Sequence, residues 1–333
     1  MRPFATSTFL STWTPFRNPT NRRVLAFKNP SPSLPLFIMV GVTQKQPVKE
    51  QNPAQTTASF ELADGHGYML DTTSYQAAGR LNLQHYLWRE VFGYSIHPSI
   101  ELPKNPKILD VACGSGLWLI DVSRELPGAQ LDGLDLDLTR APHRTWLPPN
   151  IDLGHWDMFG EVPPELVGKY DLVHIRLLIL VLSGVDLSKP LANFLKLLKP
   201  GGYIQWDEID AVNIHVKKPN NMTDAPALEE LRTACYSNGR HNWTRDLPHL
   251  LAQSGFQTPK LHWYDETPEL VRAFNDQHLM TMEEFAARLT QTGQHEGAAD
   301  FRRIIAQSYQ ECLNGAALSM PRVVVVAQRP EQR

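Results

Sequence analysis

The chain has 333 residues, enough for one large α/β domain with insertions or for two small domains. Its hydrophobic content of 42% is that of a globular protein, and its net charge of −3 hides an asymmetry. The first 49 residues hold seven of the 32 Lys/Arg and no Asp or Glu, so the rest carries 25 Lys/Arg against 35 Asp/Glu, an acidic body that speaks against nucleic acid as the main partner.

Residues 1–55 are rich in Pro, Ser, Thr and Arg and show no lasting periodicity. The segment shares its basic, acid-free character with a mitochondrial presequence. Its prolines, Pro15, Pro19, Pro30, Pro32 and Pro35, oppose the long amphipathic helix a presequence needs, and favour a disordered extension or a true start at Met39. The expected location is therefore cytoplasmic, with mitochondrial as the alternative. Three widely spaced cysteines, Cys113, Cys235 and Cys312, form neither a disulfide framework nor a metal cluster, and read as reduced thiols. The longest apolar run, Leu177–Leu182, is far short of the roughly 20 residues of a membrane helix and reads as core.

The folded domain is expected over 56–333. A helix is predicted between Leu70 and about Gly93, where Leu81, Leu83, Leu87, Trp88 and Val91 alternate with Arg80, Gln84, Arg89 and Glu90. Tyr75 and Arg80 are polar groups able to reach a ligand from it. The stretch Ile108–Val122 (ILDVACGSGLWLIDV) then reads as strand, glycine turn and helix. Gly114 and Gly116 let a ligand approach the backbone, and the helix start offers N–H groups.

Here the chain resembles motif I of class I S-adenosylmethionine-dependent methyltransferases, with Asp110 before the turn and Ala112 where the family carries its first glycine. A nicotinamide dinucleotide fold would need a third glycine where Leu119 stands. The resemblance implies a Rossmann-like α/β fold with a seven-stranded sheet, S-adenosyl-L-methionine as cofactor, and the following elements in order. A second strand, Ala129–Asp135, ends in the ribose acceptor Asp135, 19 residues after Gly116, with Leu136 beside it. A third strand, Ile151–Trp156, is closed by Asp157 and Met158, the adenine-facing pair, with Asp157 22 residues past Asp135. A fourth strand, Tyr170–Arg176, puts His174 near the ligand end of the sheet as a candidate catalytic base. A helix with Asp186 or Ser188 as its cap stops at Lys199-Pro200-Gly201-Gly202 before a fifth strand, Tyr203–Trp206. Asp207, Glu208 and Asp210 follow; they are placed to activate a hydroxyl, steer a cationic amine or hold a metal, and Glu208 is the second catalytic candidate.

Two helices are predicted around Leu228–Cys235 and Leu247–Gln253, with Trp243 as a candidate substrate wall. A sixth strand at Lys260–Tyr264 and a last one at Arg322–Ala327 enclose some fifty residues of helical pattern where this fold usually has a short hairpin. This insertion (about 266–319) and the N-terminal helix (about 70–100) are expected to cap the site. The further resemblance is to fungal secondary-metabolite, LaeA-like methyltransferases. It implies methyl transfer to oxygen or nitrogen of a small molecule, with Tyr75 and Arg80 covering the cofactor and no metal. The expected partner is a small-molecule substrate, not a membrane or nucleic acid, and a homodimer is compatible with the reading. The alternative is a LaeA-like protein that keeps the fold and acts as a regulatory partner.

Overall fold

A computed structural model describes residue 70 and residues 74–182, 184–221 and 224–331. The extension expected over 1–55 lies outside the described residues. Helix α1 (Tyr75–Phe92) begins at Ser74, whose hydroxyl accepts the Ala77 N–H at 3.1 Å, and ends at Gly93 in the left-handed region. Such an N-cap is worth about 1 kcal/mol.

Strand β1 (Lys107–Val111) leads through the glycine corner into α2 (Leu117–Glu125). Strands β2 (Gln130–Asp135), β3 (Ile151–His155) and β4 (Tyr170–Arg176) follow, then α3 (Ser188–Leu197) and β5 (Leu198–Ile209). The short β6 (His215–Lys217) precedes α4 (Pro226–Tyr236) and α5 (Trp243–Gln253). The chain closes with β7 (Gln257–Tyr264), α6 (Val271–Gln291), α7 (His295–Leu313), β8 (Ala317–Ser319) and β9 (Arg322–Gln328).

The main sheet has seven strands in the order β3-β2-β1-β4-β5-β9-β7. The first five are mutually parallel, and β9 runs antiparallel to both β5 and β7. This is the Rossmann-like class I methyltransferase sheet. The order reverses between β1 and β4, and a parallel sheet opens its ligand crevice at such a point, beyond the carboxyl ends of the strands.

Alternation along the strands splits the core in two. Leu109, Val111, Val173, Ile175, Ile204 and Trp206 pack one face against α3 and α5. Ile108, Leu131 and Leu172 pack the other against Trp118, Leu119 and Val122 of α2. Close approach is needed there. A Cβ on Gly133 would come within 2.6 Å of both Leu119 and Leu153. A separate core holds the insertion together: Leu228 and Leu231 of α4 meet Met282 and Ala286 of α6, Phe301 and Ile304 of α7, and Leu318 of β8.

Two local expectations change. The Lys-Pro-Gly-Gly run does not separate helix from strand. Helix α3 already ends at Leu197, and Lys199–Gly202 lie within β5, where the register with β4 slips between Tyr170 and Leu172. Pro200 cannot continue a helix, and Gly201, at φ 74°, takes the left-handed turn of the bulge. Lys199 then reaches Asp171 at 2.7 Å. The β6–β8 pair was not foreseen, because three-residue strands leave no readable alternation. Trp243 opens α5 and packs edge-on against Trp206, 5.8 Å between centroids, in the core rather than in a substrate wall.

Candidate active site

The crevice above β1, β2 and β4 is a cavity of about 260 Å³. Its floor is the glycine corner. Ala112, Gly114 and Gly116 have φ of 56°, 55° and 68°. Three alternating left-handed residues fold the backbone into a tight loop, and Gly116 N-caps α2 without any side-chain acceptor. The first-turn N–H groups of α2 are therefore left for a ligand. A Cβ at Gly114 would meet nothing within 4 Å, so glycine is used there for its φ.

Asp135 ends β2 and braces this loop. One carboxylate oxygen accepts the Gly114 N–H at 2.8 Å and the other accepts the Asp137 N–H at 3.0 Å. A carboxylate has about four lone-pair sites, so acceptor capacity remains for two vicinal hydroxyls. Leu136, Trp156 and Met158 line the same part of the cavity. Asp157 does not. It accepts the Phe159 N–H at 2.9 Å and shapes the turn that carries Met158. Cys113 is buried in the loop, and burial pushes its thiol well above the ordinary range, so it fills space and is inert.

A buried polar chain stands behind the corner. Asp110 meets His174 Nδ1 at 2.7 Å, and His174 Nε2 meets Asp207 at 3.1 Å. Gln205 donates to Asp207 at 3.0 Å, and the Trp118 ring lies flat on His174 at 3.8 Å. Burial alone would lower the imidazole pKa. Asp110, and then Asp207, more than offset it and hold the pKa above the ordinary value. His174 lines the cavity with both ring nitrogens already engaged by Asp110 and Asp207. Neither nitrogen is left to meet a substrate, so the expectation of a catalytic base is corrected to a positioning role.

Glu208 is corrected as well. It is fully buried, lies outside the cavity wall, and accepts the N–H groups of Leu178 (2.9 Å) and Ile209 (3.0 Å). Burial raises its pKa to about 8. Its work is to pin the loop 177–181, which does line the cavity and turns at Leu177 with φ 58°. Asp210 is taken by Asn213, Arg245 and Trp263. The three acids thus serve the fold, and no group of His, Cys, Asp and Glu among the described residues is arranged to hold a metal ion.

Two helices line the crevice. From α1 come Arg80, Leu81, Gln84 and His85; from α6 come Gln277, His278, Thr281 and Met282. Arg80 is 1% exposed and forks onto Glu284 of α6, with contacts of 2.5 and 3.1 Å. His85 bridges Arg176 (3.0 Å) and Asp121 (2.9 Å), and burial holds its pKa at about 4. Tyr75 is 82% exposed at the tip of α1 and takes no part in the wall. The α6 residues and Met320 were missed by sequence reading, as was Ile209 as part of the wall. The detectable signal was spacing: both caps place wall residues at i, i+1, i+4 and i+5, one helical face.

A parallel sheet with one antiparallel strand, β9, next to its edge, a glycine corner after β1 and an acid at the tip of β2 define a class I methyltransferase domain, the class that uses S-adenosyl-L-methionine. Residues 108–202 match the family described as methyltransferase domain. The methyltransferase grgD of Penicillium sp is 36% identical over 159 residues, 43% of this chain and 55% of that one. The N-methyltransferase verN of Clonostachys rogersoniana is 33% identical over 132 residues, 39% and 46% of the two chains. The secondary metabolism regulator laeA of Coprinopsis cinerea is 31% identical over 133 residues, 38% and 32%. The chain thus spans about half or less of the length of these relatives. Among solved structures, phosphoethanolamine N-methyltransferase 2 of Haemonchus contortus, in complex with S-adenosyl-L-methionine, aligns with a TM-score of 0.41 and 14% identity, over 75% of this chain and 53% of that one.

Proposed function

We propose that this protein transfers a methyl group from S-adenosyl-L-methionine to an oxygen or nitrogen of a small secondary-metabolite substrate. One observation carries the reading: the glycine corner and Asp135 open into the same cavity as an apolar wall supplied by 177–181, Ile209, α6 and Met320. The residues present suit the cofactor. The uncapped start of α2 and Asp135 would hold the adenosyl part, Leu136 and Met158 would flank the base, and buried Asp110 offers an acceptor for an ammonium group. Bound there, the cofactor supplies a methyl already activated by its sulfonium. The chain's own task is then alignment and exclusion of water, and its two cap helices and buried polar chain serve that task.

The test uses purified full-length protein. Calorimetry should detect binding of S-adenosylhomocysteine, and isotope-labelled S-adenosylmethionine should label a compound in metabolite extract from a strain lacking the gene. Cofactor binding without any labelled compound, together with recovery of the protein in a stable complex, would favour a regulatory role. That second reading is supported by the likeness to proteins named as secondary metabolism regulators.

A further inference from the structure

Beyond the glycine corner, the cavity wall contributed by 177–181, Ile209, Tyr236, α6 and Met320 carries no carboxylate, ammonium or guanidinium group. The acids at the end of β5 are turned away from it, onto His174, onto backbone N–H groups and onto Arg245. Its few polar side chains are Tyr236 at the end of α4 and three on α6, two of which satisfy each other. Gln277 donates to Thr281 Oγ1 at 3.1 Å, and Thr281 donates to the Gln277 carbonyl at 3.2 Å.

His278 is different. It is 4% exposed, it lines the cavity, and its Nε2 has no hydrogen-bond partner. Buried polar atoms are nearly always paired, so an orphan on a side chain of the cavity wall points to a ligand atom that completes it. Burial holds the imidazole pKa at about 4, so the ring is neutral at physiological pH. The Tyr236 ring stands 5.8 Å away, tilted by 35°, and gives the nitrogen an aromatic neighbour.

We propose that His278 determines acceptor specificity: the site takes a neutral, largely apolar, planar substrate whose hydroxyl or N–H donates a hydrogen bond to His278 Nε2. The wall offers nothing to balance a cationic amine. An oxygen loses its donor on methylation, so an ether product leaves Nε2 unpaired again and is released. That consequence rests on the methyltransferase reading; the recognition itself does not.

The experiment measures binding of three probes to the full chain saturated with S-adenosylhomocysteine: 2-naphthol, 2-methoxynaphthalene and naphthalen-2-ylmethylammonium. Naphthol is expected to bind about tenfold more tightly than the methoxy compound, the difference of one hydrogen bond, and the ammonium most weakly. His278→Phe should erase the gap between the first two, and His278→Gln should restore part of it. If His278→Phe fails to fold, the ¹⁵N resonance of His278 in the unaltered protein decides: it should shift with naphthol and stay with the methoxy compound. No naphthol binding at 1 mM, equal affinities, a gap that survives His278→Phe, or tightest binding of the ammonium would overturn the proposal. Failure of S-adenosylhomocysteine itself to bind counts against the cofactor assignment alone, and the probe series is then read without it.

Discussion

Asp110 on β1 and His174 on β4 stand opposite each other in register on neighbouring parallel strands, and their side chains meet at 2.7 Å. Two residues further along β5 from the partner of His174, Asp207 closes the other side of the imidazole. The two buried carboxylates raise the pKa of the imidazole between them, against the burial that would lower it. His174→Asn removes the cation and leaves the acids facing each other, which should cost about 3–5 kcal/mol, as for breaking other buried ion pairs. The pH dependence has a definite sign. The folded pKa lies above 6.5, so the stabilisation is complete below 6.5 and is lost as pH rises through the folded value. Urea unfolding at pH 6 and pH 9 should show the gap between the two proteins narrowing at the higher pH. A gap of constant size would mean the ring is neutral in the fold.

Glu208 titrates in the opposite sense to an ordinary surface carboxylate. Its pKa is raised from 4.5 to about 8 by burial, so the folded state holds a proton that the unfolded chain releases. Stability attributable to this group is whole below 4.5 and falls between 4.5 and about 8, by up to about 1.4 kcal/mol per pH unit. His85, His241 and His278, all lowered to about 4 by burial, work the other way between 4 and 6.5, and His174 adds its own descent above 6.5, so the share of Glu208 is read as the difference between the parent and its variant from 6.5 to 8. Glu208→Gln should unfold with a flatter profile over that window. It should also lose about 1–3 kcal/mol at pH 6, since an amide N–H₂ replaces one of two acceptors facing backbone N–H groups. Methyl transfer should survive if loop 177–181 stays in place.

The fork between Arg80 and Glu284 ties the two caps together. Glu284→Ala strands a guanidinium that is 1% exposed, with an expected cost of about 3–5 kcal/mol. Replacing both, Arg80→Met with Glu284→Leu, should recover most of it, because neither charge is then left unpaired. Hydrogen exchange should speed up across α1 in the single variant only. Equal exchange in both variants would show that packing with α6, rather than the ion pair, holds α1 down.

Sequence patterns disclosed what is local and repetitive. The apolar run of β1, the continuous β-branched run of β9, the glycine corner, and acids at fixed distances from it pointed to the strands and the crevice. Side-chain direction was not legible. Glu208 and His174 both sit where the strand ends face the ligand, yet alternation turns Glu208 to backbone donors, and a second acid, 33 residues after His174 in the chain, occupies its free nitrogen. Nor could Tyr75 be separated from Arg80 without knowing which face of α1 meets α6. The wall on α6 went unread because Gln277, His278 and Thr281 look like ordinary helix polarity until their neighbours are known.

Ala112 is where the chain departs from the first glycine of the motif it resembles, and the backbone shows what that residue must do. Its φ of 56° is left-handed, a conformation costing an L-residue about 1–2 kcal/mol and glycine almost nothing. Ala112→Gly gains that back but loses a methyl packed on the core beneath the corner and gives the unfolded chain more freedom, about 0.5–1 kcal/mol. The net change in stability should lie within about 1 kcal/mol of zero. The loop, freed of a Cβ, should close on its ligand, so affinity for S-adenosylhomocysteine should rise by a few-fold. Ala112→Val goes the other way. A β-branched residue at this φ is a true outlier, and the variant should lose a further 1–3 kcal/mol, roughly, along with affinity. Calorimetric Kd values and unfolding midpoints for the pair must therefore move in opposite directions from the parent in affinity and unequally in stability. Unchanged values for Ala112→Val would mean that the corner is not built on a left-handed residue at this position.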